Sequence, residues 1–205
     1  MFLDINLEKP HSLVIDAAKL LFLIWNGMAT GYECVGGYLE AKPCVEISIF
    51  GTLNTCGEVF LSLRAVSELS LSNFTMELMS SKYSWEIFHN LNSLTVWIGD
   101  VDGLAPLLHL APYLNRLEVK IRAASPTKHT AEYWESQVFA FVNSLESVRL
   151  DINGEQNGIE LIKYLLRNAR ELKTIIIHCS FDPKVISSSL EHFRWASPSA
   201  RVYFN

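Results

Sequence analysis

The sequence predicts an α/β solenoid, in which one parallel sheet grows a strand at a time and a helix or loop carries the chain from each strand to the next. Three observations predict it. An apolar phrase recurs along the 205 residues: an aliphatic residue, two others, a second, one other, then a third. Its copies are nearly evenly spaced. The segments between them carry the three-to-four rhythm of helices with one buried face. That phrase, at an interval in the twenties, is the sequence signature of leucine-rich repeats. The predicted fold is therefore a leucine-rich-repeat solenoid, with a parallel sheet on the concave face and helices on the convex face.

The copies are Leu20, Leu23, Trp25; a weaker Val45, Ile47, Ile49; then Val66, Leu69, Leu71 and Leu91, Leu94, Val96. Leu114, Leu117, Val119, then Leu145, Val148, Leu150, and Leu172, Ile175, Ile177 complete the series. Between central residues the steps are about 24, 22, 25, 23, 31 and 27 residues, in or just above the roughly 20–29 of leucine-rich repeats. The last two apolar residues of each phrase are two apart, so they point to one face of a strand, and the residues between them point to the other.

Among the connections, Ile159, Ile162, Leu165 and Leu166 mark a helix over 159–167, with Asn157-Gly158 at its start. Arg167 and Arg170 suit its C-terminal dipole. Glu135 to Leu145 and Lys184 to Trp195 read as helices too, as does Leu104 to Leu110, with Pro106 in the first turn. Thr30 to Lys42 and Ala123 to Thr130 read as loop inserts, the second explaining the longest step. A doubly wound nucleotide-binding sheet is the rival architecture. It needs a glycine-rich turn after its first strand, and Gly36-Gly37 and Gly51 fit neither of its patterns.

Composition narrows the function classes. With 49% hydrophobic and 19% charged residues the chain is built for a packed core. A net charge of −5 and the absence of a basic stripe argue against nucleic acid as a partner. Cys34, Cys44, Cys56 and Cys179 form no C-x-x-C pair, so they read as reduced thiols of a cytoplasmic or nuclear protein, not as zinc ligands or a disulfide framework. The first residues do not resemble a signal peptide. The longest apolar run, Leu20 to Trp25, is far shorter than the roughly 20 residues of a membrane span, so no membrane is expected. Without secretion the sequon at Asn73 carries no weight. The six histidines show no H-x-x-x-H spacing. His178 and Cys179, as strand neighbours, point to opposite faces and form no dyad. Neither a G-x-S-x-G turn nor a convincing carboxylate pair is present. The expectation is a protein that is no enzyme and takes no cofactor or metal.

The C-terminal third is more specific. Leu145-Glu-Ser-Val-Arg-Leu-Asp-Ile152, Gly158-Ile-Glu-Leu-Ile-Lys-Tyr-Leu-Leu-Arg-Asn-Ala169 and Leu172-Lys-Thr-Ile-Ile-Ile177 resemble the FBD region of plant F-box proteins, where a strand precedes a helix of the type E-L-I/V-K-Y-L-L-x-N-A. The stretch Phe193-Arg-Trp-Ala-Ser-Pro-Ser-Ala-Arg-Val-Tyr-Phe204 resembles that family's closing phrase, F-x-R-A-S-P-x-C-x-V-x-F, with Trp195 and Ala200 departing from it. Upstream, Leu13-Val-Ile-Asp-Ala-Ala-Lys-Leu-Leu-Phe-Leu23 is similar to the family's I-D-A-P-K-L-x-x-L, with Ala18 in the place of proline. The resemblance implies leucine-rich repeats over 1–144 and an FBD region over 145–205 that completes and caps the same solenoid. It also implies the substrate-recognition part of a cullin–RING (SCF) ubiquitin ligase. Nothing in the 205 residues resembles the F-box that docks such proteins on the ligase adaptor. The chain is therefore expected to be a fragment or truncated product, reaching the adaptor only if an F-box is supplied upstream.

The outward strand positions form the candidate binding surface for a target protein. Phe22, Phe50 and Trp97 are its large apolar groups, and exposed tryptophan is a frequent hot spot. Arg116, Glu118, Lys120, Arg149 and Asp151 are its charged cluster. Two plainer readings stand beside these: a loop over Trp97, and an ordinary solvated face for the charges. Two other functions also remain open. One is a stand-alone interaction protein with no ligase role. The other is a small-molecule (hormone) receptor, which needs a pocket of roughly 300 Å³ with convergent polar groups. An uncovered first strand implies marginal solubility.

Overall fold

Nine strands line up in chain order: β1 (Phe2–Leu7), β2 (Phe22–Met28), β3 (Cys44–Phe50), β4 (Glu68–Phe74), β5 (Ser93–Ile98), β6 (Arg116–Ile121), β7 (Ser147–Ile152), β8 (Thr174–Cys179) and β9 (Arg201–Phe204). Each is parallel to the next. The computed structural model describes residues 2–7, 22–28, 44–50, 66–74, 87–98, 101, 103–121, 129–152, 156–180, 182–191 and 193–205; side chains are described in 66–71 and, apart from Gln156, in the segments from 87 onward. Among the described residues four helices connect the later strands: α1 (Leu104–His109), α2 (Ala131–Ser136), α3 (Gln156–Asn168) and α4 (Lys184–Leu190). The chain is thus a mixed α/β structure on an all-parallel sheet. A doubly wound sheet reverses its direction of growth partway, and the strand order here never does.

The recurring phrase is what stacks. Leu69, Leu94, Leu117, Val148, Ile175 and Val202 align in one row, and Leu71, Val96, Val119, Leu150, Ile177 and Phe204 in the next. From Leu69 to Ile177 these residues are at most 2% exposed, and the entry residues Val66, Leu91, Leu114, Leu145 and Leu172 are fully buried. Leu104, Leu107 and Leu108 of α1 and Leu161, Ile162, Leu165 and Leu166 of α3 join them in one core. Burying each such side chain stabilises the fold by roughly 1.5–3 kcal/mol.

Polar groups fix the register where the chain enters each strand. The carbonyl of Ser67 accepts from the N–H groups of Asn92 and Ser93 at 2.9 and 3.1 Å, and that of Asn92 from Asn115 and Arg116 at 2.8 and 2.9 Å. Asn115 serves Glu146 and Ser147 in the same way, Glu146 serves Lys173 and Thr174, and Lys173 serves Arg201. Side chains reinforce this ladder. Asn115 donates to the carbonyl of Ser144 at 3.1 Å, and Ser144 Oγ donates to that of Leu114 at 2.9 Å. Buried Ser197 donates to the carbonyl of Leu172 at 2.6 Å.

Several expected boundaries shift. β1 and β9 lie outside the seven phrases. Leu3 and Ile5 of β1 align with Leu23 and Trp25, two apart like the last two members of the phrase. In β9 the entry position holds Ser199, so the pattern lacks its first apolar member. The helix expected over Glu135 to Leu145 is instead α2, an extended stretch, and a 3-10 turn at Ala140–Asn143. Extended backbone at Gln137 and Phe139 breaks the helix and carries Phe139, and then Phe141 of the 3-10 turn, into the core, where both are buried. The helix expected to reach Trp195 stops at Leu190. Ser187, Ser188 and Ser189 bond back to carbonyls three residues earlier, a competition that weakens helices. The Ala196 N–H then bonds to the Leu166 carbonyl at 2.8 Å. The helix α3 begins at Gln156, so Asn157 and Gly158 lie inside it. Leu20, the Thr30 to Lys42 insert and most of the Ala123 to Thr130 insert lie outside the described residues.

Gly158 of α3 sits directly against Ile152 of β7. A Cβ there would stand 2.6 Å from Ile152 Cγ2 and 3.1 Å from Ile152 Cβ. Alanine is a better helix former than glycine by about 1 kcal/mol, yet an overpacked core costs about 1–3 kcal/mol. Gly158→Ala is expected to lower stability in urea melts, and Ile152→Ala in the same chain to relieve that specific loss; strict additivity of the two would refute the contact.

Tyr164 donates its hydroxyl to the Gln137 carbonyl at 2.9 Å and is buried beside Trp134 and Phe139. Burial raises its pKa above the ordinary phenol value. A group held protonated in this way stabilises the fold fully below the unfolded value, near 10, and loses that contribution as pH rises through the raised folded value. Tyr164→Phe should cost about 1 kcal/mol at neutral pH. The gap between the two proteins should narrow in melts above pH ~10, and a pH-independent gap would contradict the assignment.

Candidate functional site

Because the core takes alternate residues of each strand, the others form rows on the opposite face of the sheet. The register fixes these rows. Arg116, Ser147, Thr174 and Arg201 align in one; Thr95, Glu118, Arg149, Ile176 and Tyr203 in a second; Ser72, Trp97, Lys120, Asp151 and His178 in a third. Burial follows the same alternation, since the face residues of β5 to β8 are all half-buried or exposed while their neighbours, apart from half-buried Cys179, are buried.

Trp97 is half-buried, with the Lys120 ammonium 4.5 Å from its ring centroid. Lys120 Nζ also lies 3.1 Å from Glu118 Oε1. An indole face, an ammonium and a carboxylate thus form one chain of contacts across two strands, and the cation–π part is worth about 0.5–1 kcal/mol at such exposure. Trp97 keeps partial access, with its ring attended by Lys120. Arg116 and Arg149 are exposed and Asp151 half-buried, and among the described residues none of the three forms an ion pair.

The structure therefore brings six of the expected site residues, Trp97, Arg116, Glu118, Lys120, Arg149 and Asp151, onto three adjacent strands. Phe50 stands apart. It ends β3 opposite Met28, whereas the residue of β3 in the Trp97 row is Ser48. The side chain of Phe50 lies outside the described residues. Sequence reasoning missed Arg201 and Tyr203, both exposed on β9. The alternation of Val202 and Phe204 was the available signal.

Other chemistry does not converge on this face. His178 shares a row with Asp151, while its neighbour Cys179 aligns with Ile152, a core residue. Among the described residues no three His, Cys, Asp or Glu side chains are placed to hold a metal ion, and no helix is long and apolar enough to cross a membrane. An open groove of about 360 Å³ runs between α4 and β9, lined by Leu190, Phe193, Trp195, Val202 and Phe204 with Ser187 and Glu191. It lies on the core side of β9 and is mostly apolar, unlike the polar concave-face pocket a hormone-receptor reading requires.

Substitutions on β7 measure how one-sided the sheet is. Leu150→Ala should cost about 2–5 kcal/mol, and the neighbouring Arg149→Ala should stay within about 0.5 kcal/mol. Comparable losses in denaturant melts would mean that both faces are packed.

No curated protein and no solved structure matches this chain. A protein-family model does: that of FBD, over residues 141–177. The matched stretch takes in most of the 3-10 turn, all of β7 and α3, and β8 as far as Ile177. The chain, in short, contains an FBD segment.

Proposed function

We propose that this chain is a leucine-rich-repeat solenoid that binds a target protein on the outward face of its sheet, as the substrate-recognition part of an F-box subunit of a plant SCF ubiquitin ligase. On this reading residues 1–144 are the repeats, and 145–205 form the FBD region that ends the same array. The observation that carries it is the unbroken parallel sheet in chain order, with a buried apolar phrase at five successive steps from Val66, Leu69, Leu71 to Leu172, Ile175, Ile177 and an FBD match on its later part. A sheet grown in one direction presents a long row of alternate side chains, and repeat proteins use such surfaces for partners.

The mechanism is non-covalent, and no residue of this chain performs chemistry. Trp97 and the charged residues around it hold the target, and another subunit transfers ubiquitin. The ligase adaptor joins only through an F-box supplied upstream, and the setting is cytoplasmic or nuclear.

The test is affinity capture from plant extract, read by mass spectrometry, with the wild-type chain, Trp97→Ala, and Glu171→Ala in an exposed turn. Proteins retained by the wild type and Glu171→Ala but lost with Trp97→Ala are the expected result. Equal capture by all three would place binding elsewhere. Adaptor and cullin subunits in the wild-type catch would overturn the dependence on an upstream F-box.

A further inference from the structure

The β6–β9 end of the outward face is electrostatically unlike the rest of the chain. Its side chains are four cations (Arg116, Lys120, Arg149, Arg201) against two carboxylates (Glu118, Asp151), a balance of +2 on a chain whose net charge is −5. One carboxylate is already engaged, since Glu118 holds Lys120 at 3.1 Å. The three arginines are exposed, and none forms an ion pair among the described residues.

Their placement is set by the register. Arg116 and Arg201 share one row, with Ser147 and Thr174 between them. At the strand spacing of parallel sheets they stand about 14 Å apart. Arg149 occupies the next row, followed there by Ile176 and by Tyr203, which is 46% exposed. Three guanidinium groups thus frame hydroxyls and a small apolar patch. Guanidinium forks match carboxylates in paired hydrogen bonds, and tyrosine and isoleucine offer an apolar seat.

We infer that this end of the face takes an acidic segment of the partner protein, its carboxylates on Arg116, Arg149 and Arg201 and an apolar side chain against Ile176 and Tyr203. The inference rests on the protein-binding reading above and narrows it to one partner chemistry. Nucleic acid fits less well, because a phosphate backbone needs an uninterrupted cationic track, and Glu118 and Asp151 interrupt this one.

The probe is a short fluorescent peptide of glutamates around a central leucine, followed by anisotropy against the full chain, beside a twin with glutamine for glutamate and a single-stranded DNA of similar length. The glutamate peptide should bind about tenfold more tightly than its twin, and added salt should weaken it. Arg149→Gln and Arg201→Gln should each cost several-fold in affinity, and Arg170→Gln, an exposed arginine after α3, should cost nothing. Unchanged melting temperatures will show that the variants remain folded. Equal binding of the two peptides, or equal loss with Arg170→Gln, overturns the inference, and tighter binding of the DNA replaces it with a nucleic-acid surface. Trp97-dependent capture without a preference for the glutamate peptide would sink this inference while leaving the wider reading intact.

Discussion

At the entry to each strand from β5 to β8 a single carbonyl of the preceding unit accepts two N–H groups, and the rest of the described architecture depends on that repeated contact. From Ser67 to Arg201 the device recurs five times, each contact 2.8–3.2 Å long, with one donor in place of two at the last step. It fixes where each strand starts relative to the one before. In a sheet, a slip of one residue turns every side chain to the other face. Once the entries are locked, the apolar phrases must stack on one side and the polar residues on the other. The rows of the candidate site follow from backbone hydrogen bonding at some distance from the site itself.

With the strand entries held, the connections are free to differ. The path from β6 to β7 combines a short helix and a 3-10 turn, β7 to β8 uses the longest described helix, and β5 to β6 uses six helical residues. Each meets the same demand, to deliver apolar groups onto the buried face and return the chain to the next entry. Trp134, Phe139 and Phe141 do this with aromatic rings, and Leu161, Ile162, Leu165 and Leu166 with an amphipathic helix face. Gly158 shows how tight the demand becomes, since its missing side chain is what lets α3 approach Ile152.

What was legible in the sequence follows the same division. The phrases Val66, Leu69, Leu71 through Leu172, Ile175, Ile177 could be read because burial of that pattern is local and periodic. The helix expected over 159–167 was legible for the same reason, though it runs over Gln156–Asn168, and the charged cluster on β6 and β7 followed from strand alternation alone. The connection through Phe139 was not. Whether a run of apolar residues coils or extends is decided by the layer it must fill, and propensity does not carry that information. β9 was illegible because Ser199 stands at its entry, and Ser197, reaching back to the Leu172 carbonyl, closes the turn by a contact 25 residues distant in sequence. Arg201 and Tyr203 were lost with it. The separation of Phe50 from the Trp97 row needed the register itself.

The same logic bears on why the two ends of the face differ. Around Trp97 the charges satisfy one another, with Lys120 shared between the indole ring and Glu118. Such a cluster is organised before any partner arrives, so little ordering is lost on binding. Toward β9 the arginines are exposed and form no ion pair among the described residues, and ordering such long side chains costs rotamer entropy. The first kind of surface contributes shape and a stable anchor; the second contributes attraction and orientation during approach, which depend on salt more than on fit. A partner meeting both would be steered by the arginines and retained by the tryptophan. Losses at Trp97 should then appear mainly in dissociation, and losses at Arg149 or Arg201 mainly in association.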